Sequence, residues 1–228
     1  MHDRFADKLL QWYDSHGRHD LPWHHNRNAY RVWVSEIMLQ QTQVTTVIPY
    51  FEAFMERFPD VHALAEAPVD DVLSHWSGLG YYARARNLQK AAQTVVQDFA
   101  GEFPQTQEEL ESLTGIGRST AAAILAQAFG IRAAILDGNV KRVLARYHAI
   151  PGWPGQTAVL NQLWHRAEEH TPEQRVRDYT QGIMDLGAMV CTRSRPACES
   201  CPLQEGCTAY AQNETSLYPG SKPKKAKP

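Results

Sequence analysis

Four cysteines stand close enough to do chemistry together. Cys191, Cys198, Cys201 and Cys207, spaced C-x6-C-x2-C-x5-C, are the only cysteines among the 228 residues. Two disulfides would need an oxidising compartment, yet the chain starts at Met1 with no apolar signal stretch, and a chain of this length can bury a core without such staples. A structural zinc has the right ligand number but commonly draws on two C-x2-C pairs, and only one such pair is present. A cubane iron-sulfur cluster takes one thiolate at each corner iron, which suits four thiols on one compact loop. The spacing points to a metal centre and favours a cluster, with zinc left open.

Two carboxylates form a second candidate set. Glu36, in Ser35-Glu36-Ile37-Met38-Leu39-Gln40-Gln41-Thr42-Gln43, borders an apolar helical stripe. Such a residue is ordinarily a solvated flank; facing a pocket instead, it would be desolvated and become an acid near neutral pH. Asp137, in Leu136-Asp137-Gly138-Asn139-Val140-Lys141-Arg142, precedes an amphipathic run and reads first as a helix N-cap. Two carboxylates in unlike environments are also the usual parts for cleaving a glycosidic bond, one as acid and one to stabilise the cation. Spacing alone cannot bring them together.

A third stretch could hold an anion. In Leu113-Thr114-Gly115-Ile116-Gly117 two glycines stand directly before a helix opening at Arg118 or Ser119. That pattern lets backbone N–H groups approach a phosphate, although an ordinary turn between helices fits it too. The hydrophobic frame suits a helix-hairpin-helix, which grips DNA phosphates without reading sequence.

Helices must position all of these. Apolar spacing predicts helices over 3–15, 29–44, 46–57, 61–66, 69–76, from the Gly78–Asn87 turn to about Phe99, 119–129, 157–169 and 175–190, with a capping box at Thr106 and Glu109. No stretch alternates as a strand would, so the fold class is all-α. His19, His24 and His25 sit in a polar loop with no carboxylate or cysteine at ligand spacing and read as solvated. Tyr81 and Tyr82, beside Arg84 and Arg86, could stack on bases and hold phosphates or could be core residues at a turn. Past Cys207 the apolar period fades into a Lys/Pro-rich tail that reads as a linker.

Composition is 43% hydrophobic, ample for a core, and no apolar run approaches the roughly twenty residues of a membrane span. The net charge is −2, and removing the four lysines 222, 224, 225 and 227 leaves −6 for the body. A nucleic-acid face must therefore be local, from Arg84, Arg86 and Lys90, from Arg118, from Lys141, Arg142 and Arg146, and from Arg193 and Arg195.

Taken jointly, these motifs, with Leu21-Pro22-Trp23 and Met184-Asp185-Leu186-Gly187-Ala188, resemble the helix-hairpin-helix DNA glycosylases with an iron-sulfur loop, and most closely the catalytic region of the MutY-type adenine DNA glycosylases. The resemblance covers nearly the whole chain. It implies two helical lobes: a six-helix barrel with the helix-hairpin-helix over 29–133, and an iron-sulfur cluster lobe built from 1–28 and 134–212. The active site is expected in the cleft between them and a linker or tail over 213–228. It implies one [4Fe-4S] cluster on the four cysteines, Glu36 as the acid that protonates adenine, Asp137 as the stabiliser of the sugar cation and Asn139 as its organiser. Gln41 and Tyr81 would wedge into DNA, Gly115, Gly117 and Ser119 would meet its backbone, and Trp23 and Gln181 would line the adenine pocket.

Bifunctional relatives carry a lysine where this chain has Ser119, so the resemblance implies a monofunctional enzyme that leaves an abasic site. The partner would be double-stranded DNA with adenine mispaired to 8-oxoguanine or guanine, the target base flipped from the stack. The protein would be an intracellular monomer with no membrane partner. Relatives usually have a further domain that helps recognise 8-oxoguanine, and this chain stops at Pro228, which puts opposite-base discrimination in doubt. The rivals are an endonuclease III-like glycosylase for oxidised pyrimidines and a non-catalytic iron-sulfur DNA-binding protein.

Overall fold

A computed structural model describes residues 4–223; Lys224, Lys225 and Lys227 of the basic tail lie outside the described residues. Every regular element among the described residues is helical. None of these helices is long and apolar enough to cross a membrane. The chain divides into two compact units, one of His19–Ile131 and one joining Met1–Arg18 to Arg132–Pro228.

The first unit is built around α2 (Ala29–Leu39). Asn28 caps it by accepting from Arg31 N at 2.9 Å. Ala29, Tyr30, Val32, Trp33, Val34, Ser35, Ile37 and Met38 are all buried, so α2 is apolar nearly all round and has to be central. Around it lie α3 (Val44–Arg57), α6 (Ala83–Asp98) and α8 (Arg118–Ile124), with α4 (Val61–Glu66) on α6 and α7 (Gln107–Ser112) on α8. Trp33, Phe51, Phe54, Phe58, Trp76 and Leu88 fill the core, each contributing about 1.5–3 kcal/mol on burial.

Periodicity predicts α2 through residue 44, but it ends at Leu39. The cause is tertiary: the Arg84 guanidinium takes the carbonyls of Ile37 at 2.8 Å, Met38 at 3.1 Å and Gln40 at 2.6 Å, satisfying the helix end from outside. Gln41 then turns left-handed at φ 60. The polar segment 19–28, expected with the N-terminal helix, belongs to this unit instead. Leu21 and Trp23 are buried in it, and Arg31 Nη2 donates to Pro22 O at 2.8 Å.

The second unit packs α1 (Arg4–His16) on α11 (Val176–Met189), and α9 (Gly138–Tyr147) on α10 (Thr157–His170), α11 and α12 (Thr208–Ala211). Asp185, fully buried on α11, explains its motif: it accepts from Arg18 N at 2.7 Å, from Arg18 Nη2 at 2.6 Å and from Gln181 Nε2 at 2.8 Å. Arg175 adds an ion pair to Asp14 at 2.5 Å. The stretch expected as linker is anchored at least through residue 220, since Thr215 O and Tyr218 O accept from Arg146 Nε, and Gly220 N donates to Gly152 O at 3.0 Å.

Candidate functional site

The cysteine loop begins where α11 stops. Cys191 N donates back to Leu186 O at 2.7 Å and Ala197 N to Val190 O at 2.9 Å, folding the chain over. Short turns follow at Cys198–Ser200 and Gln204–Gly206, and Cys207 leads into α12. All four thiols are free and line one pocket, otherwise walled by side chains such as Val143, Leu186, Val190 and Leu203. Burial raises the pKa of three of them, Cys201 to about 11, with Cys198 and Cys207 also pushed up. Thiols in such a pocket become thiolates only against a strongly cationic centre.

No group of three or more His, Cys, Asp or Glu among the described residues is arranged to hold a single metal ion. Four free thiols lining one pocket offer one thiolate to each corner iron, which fits a cluster. Arg146 closes the back of this pocket. Only 3% exposed, it donates to Thr192 O at 2.7 Å, Arg193 O at 2.9 Å and Cys191 Sγ at 3.4 Å. A residue expected on a basic surface is thus a buried clamp on the loop.

Asp137 caps α9, its Oδ1 accepting from Val140 N at 2.8 Å. Burial raises its pKa; the backbone N–H groups of Val140 and Asn139, then Arg142 and Lys141, pull the other way. Arg142 is also turned inward. It donates to Asn139 Oδ1 at 2.8 Å, Gly187 O at 2.6 Å and Cys191 O at 2.7 Å, joining the first turn of α9 to the start of the cysteine loop. Gly187 makes that approach feasible, because a Cβ there would lie 2.6 Å from Asn139 Cβ and 3.1 Å from its Cα.

Glu36 lies in the other unit and is half-buried. Its Oε1 accepts from Gln127 Nε2 at 3.3 Å. Gln127 is only 2% exposed and sits on a π-helical turn, Leu125–Phe129, that continues α8; its own Oε1 is buried without a partner. Wide turns of this kind recur at functional sites because they re-aim side chains. Neither Gln127 nor the π turn was legible in the sequence, where Gln127 is one polar residue in an ordinary-looking helix.

Gln41 and Tyr81 are both exposed and both left-handed, at φ 60 and φ 49, a conformation uncommon for residues other than glycine. In the hairpin, Leu113 and Ile116 are buried while Thr114, Gly115, Gly117 and Arg118 face solvent. Gly115, at φ 84 and backed by Asn87, needs to be glycine; Gly117 opens α8 in an extended conformation with free space around it. Ser119 is half-buried. Trp23 and Gln181 are nearly inaccessible, at 3% and 4%: Trp23 packs edge-on to Phe51, and Gln181 serves Asp185. Of the expected basic face, Arg84, Arg142 and Arg146 are committed to backbone carbonyls, while Arg86, Lys90, Arg118, Arg193 and Arg195 remain exposed.

Residues 34–169 match the family of HhH-GPD superfamily base excision DNA repair proteins, and residues 191–207 match the iron-sulfur binding domain of endonuclease III, so the four-thiol pocket is an iron-sulfur site. The chain is 45% identical over 221 residues to a protein named adenine DNA glycosylase from Buchnera aphidicola subsp. Schizaphis graminum (strain Sg), covering 97% of this chain and 64% of that protein. It is 46% identical to the Homo sapiens protein of the same name, covering 95% of this chain and 42% of that one. The chain thus spans less than two thirds of the length of these curated relatives. Among solved structures, a thermostable thymine-DNA glycosylase superposes with TM-score 0.82 at 29% identity, covering 91% of this chain and 95% of that one. A non-covalent endonuclease III–DNA complex gives 0.76 at 22%, covering 93% and 99%, and speaks to the fold.

Proposed function

Because this chain belongs to the HhH-GPD superfamily of base excision DNA repair proteins, we propose that it is a monofunctional adenine DNA glycosylase. It releases adenine mispaired with 8-oxoguanine or guanine and leaves an abasic site. The reading is carried by the 45–46% identity, over nearly all of the chain, to proteins of that name from a bacterium and a mammal. The protein acts inside the cell, as a monomer, on double-stranded DNA.

Adenine is a poor leaving group until a ring nitrogen is protonated, and no base can be reached while stacked. The flipped adenine receives its proton from Glu36, whose carboxyl is supported by Gln127. As the bond to the sugar breaks, positive charge develops on the sugar, and Asp137 stabilises it. Desolvation favours this role, since a carboxylate held out of water interacts more strongly with a nearby cation. Two backbone N–H groups and Arg142 oppose the rise in pKa that burial causes. Water adds to the cation and gives its proton back to the Glu36 carboxylate, with Asn139, held by Arg142, as organiser.

Ser119 has a hydroxyl where an amine nucleophile would be needed, so no Schiff base forms and the strand stays intact. Gln41 and Tyr81 wedge into the duplex, the backbone at Gly115, Gly117 and Ser119 takes a phosphate, and the exposed Arg118, Arg193 and Arg195 add to the electrostatic footprint. Trp23 and Gln181, expected at the adenine, are buried each within its own unit. Cys191, Cys198, Cys201 and Cys207 hold one [4Fe-4S] cluster, which when bound cross-links the loop between α11 and α12.

The test is a panel of duplexes with adenine opposite 8-oxoguanine or guanine, thymine opposite guanine, thymine glycol, and uracil. Release of adenine alone, lost in Asp137→Asn with DNA binding intact, is expected. Release of thymine or an oxidised pyrimidine in its place would overturn the substrate, and undiminished release by Asp137→Asn would overturn the mechanism.

A further inference from the structure

Arg84 was counted among the cations expected to face DNA, yet its donors point into the protein. Its Nη1 reaches the carbonyls of Ile37, Met38 and Gln40 at the end of α2, as described above, and its Nη2 donates to Leu79 O at 3.2 Å and Gly80 O at 3.3 Å. The first set lies in the turn that presents Gln41, and the second in the turn that presents Tyr81. The guanidinium carbon also sits 5.3 Å from the Trp76 ring centre and 5.6 Å from that of Tyr81. Trp76, fully buried, donates its Nε1 to Gly80 O at 3.1 Å and so fixes the floor of the same turn.

Backbone hydrogen bonds close each turn, Thr42 N to Leu39 O at 3.3 Å in one and Leu79 N to Trp76 O at 3.0 Å in the other, yet both tips are strained. Gln41 and Tyr81 are solvent-facing and left-handed, Tyr81 is 64% exposed, and Gly78 and Gly80 beside it also have positive φ. Such backbone persists only where its surroundings over-determine it. Here one planar cation supplies that restraint to both turns, which a lysine, with a single point of donation, cannot reproduce.

We propose that Arg84 is a positioning residue that fixes the spacing of Gln41 and Tyr81 by binding the carbonyls of both turns, so that the two side chains enter the duplex as one rigid wedge. The inference rests on the reading of Gln41 and Tyr81 as residues that contact DNA. It assigns Arg84 no phosphate and no role at the glycosidic bond.

Arg84→Lys keeps the charge and removes the fork, which separates this role from electrostatic attraction to DNA. Three measurements on wild type and Arg84→Lys decide it: amide hydrogen exchange at 39–43 and 77–82, fluorescence of 2-aminopurine placed at the target adenine, and single-turnover adenine release against enzyme concentration. The expected result is faster exchange in both turns together, and about tenfold weaker half-saturation and flipping from the loss of charge-assisted hydrogen bonds, with the rate at saturation nearly kept. In a Gln41→Ala/Tyr81→Ala background, Arg84→Lys should add less than about twofold, since residues acting through one another are not additive.

Unchanged exchange at either turn, or a full additional loss in the double-alanine background, would overturn the proposal. Should Arg84→Lys melt early, the Gln41→Ala and Tyr81→Ala pair in otherwise wild-type protein still decides: multiplicative losses would mean two independent wedges and reject it, and a shared loss would support it. If wild-type protein releases no adenine from any duplex, the functional reading has failed, and the exchange data alone then sustain or reject the restraint by Arg84.

Discussion

Gly187→Ala is the sharpest test of how α9 is positioned. An added Cβ would stand 2.6 Å from Asn139 Cβ, 3.1 Å from its Cα and 3.2 Å from its carbonyl carbon. Carbon atoms pack at about 3.5–4.0 Å, so the first turn of α9 has to retreat by about 1 Å. Two of the three close atoms are backbone, and no rotamer change can absorb the strain. The turn that must move carries Asp137 as cap and Asn139, with its bond to Arg142; the Arg142 contact to Gly187 O at 2.6 Å lies on the same seam.

Overpacking of this kind costs about 1–3 kcal/mol; at about 2–4 °C per kcal/mol for a chain of this size, melting should fall by roughly 5 °C. A 1 Å error at a catalytic group can cost about a hundredfold in rate, so adenine release should fall far more than stability does. Gly182→Ala is the control. It lies on the same helix, and the three atoms nearest its Cβ would all be in the Tyr13 side chain, the first at 3.2 Å. Thermal melts and single-turnover release from a mismatch duplex on both variants suffice. Equal activity of the two variants, with Gly187→Ala destabilised or not, would refute the argument that this glycine sets the position of Asp137.

Three further outcomes are expected. Asp137 must be ionised to work and burial raises its pKa, so the acid limb of the rate profile should lie above the ordinary carboxylate range. Arg142 holds that pKa down, so Arg142→Gln should move the limb to still higher pH; kcat/KM profiles would show it, and a shift to lower pH would contradict it. Cys198→Ser, or iron removal by chelation, should bleach the brown colour and lower the melting temperature by several degrees or more, because the loop from 191 to 207 has little apolar core of its own; an unchanged melt would deny the cluster its structural role. Borohydride treatment of wild-type protein with substrate duplex should trap no covalent adduct, and a trapped band would show that an amine attacks the sugar despite Ser119.

Most helices were legible because they bury one face and repeat at helical period: α4 and α5 (Val69–Trp76) begin and end where the pattern places them. The Thr106 cap was legible too, its Oγ1 accepting from Glu109 N at 3.3 Å, although the Glu109 carboxylate accepts from the Thr106 hydroxyl at 2.6 Å and not from the backbone N–H that a capping box uses. What escaped was decided by partners distant in sequence. Leu39 ends α2 because Arg84 arrives from another helix, and nothing near residue 39 announces it. Arg142 and Arg146 read as surface cations because arginine is seldom buried, while the carbonyls that hold them, from Gly187 to Tyr218, come together only on folding. Trp23 looked like a pocket residue by resemblance and is core by packing. The cysteine ligands needed no such help, since they lie within one short loop, and Asp137 was legible as a cap though not as a desolvated one.

The discontinuity of the second unit bears on how the chain acquires its structure. Arg18 and Asp185 are 167 positions apart, and α1 docks on α11 across that span. Residues 19–131 are continuous and can condense as soon as they leave the ribosome, whereas α1 emerges first and must wait for almost the whole remainder to be translated. At about 5–20 residues per second the wait is on the order of ten seconds. Throughout it Phe5, Leu9, Leu10 and Tyr13 have no α11 to cover them. The helix α1 is thus buried only after segments translated long after it have folded.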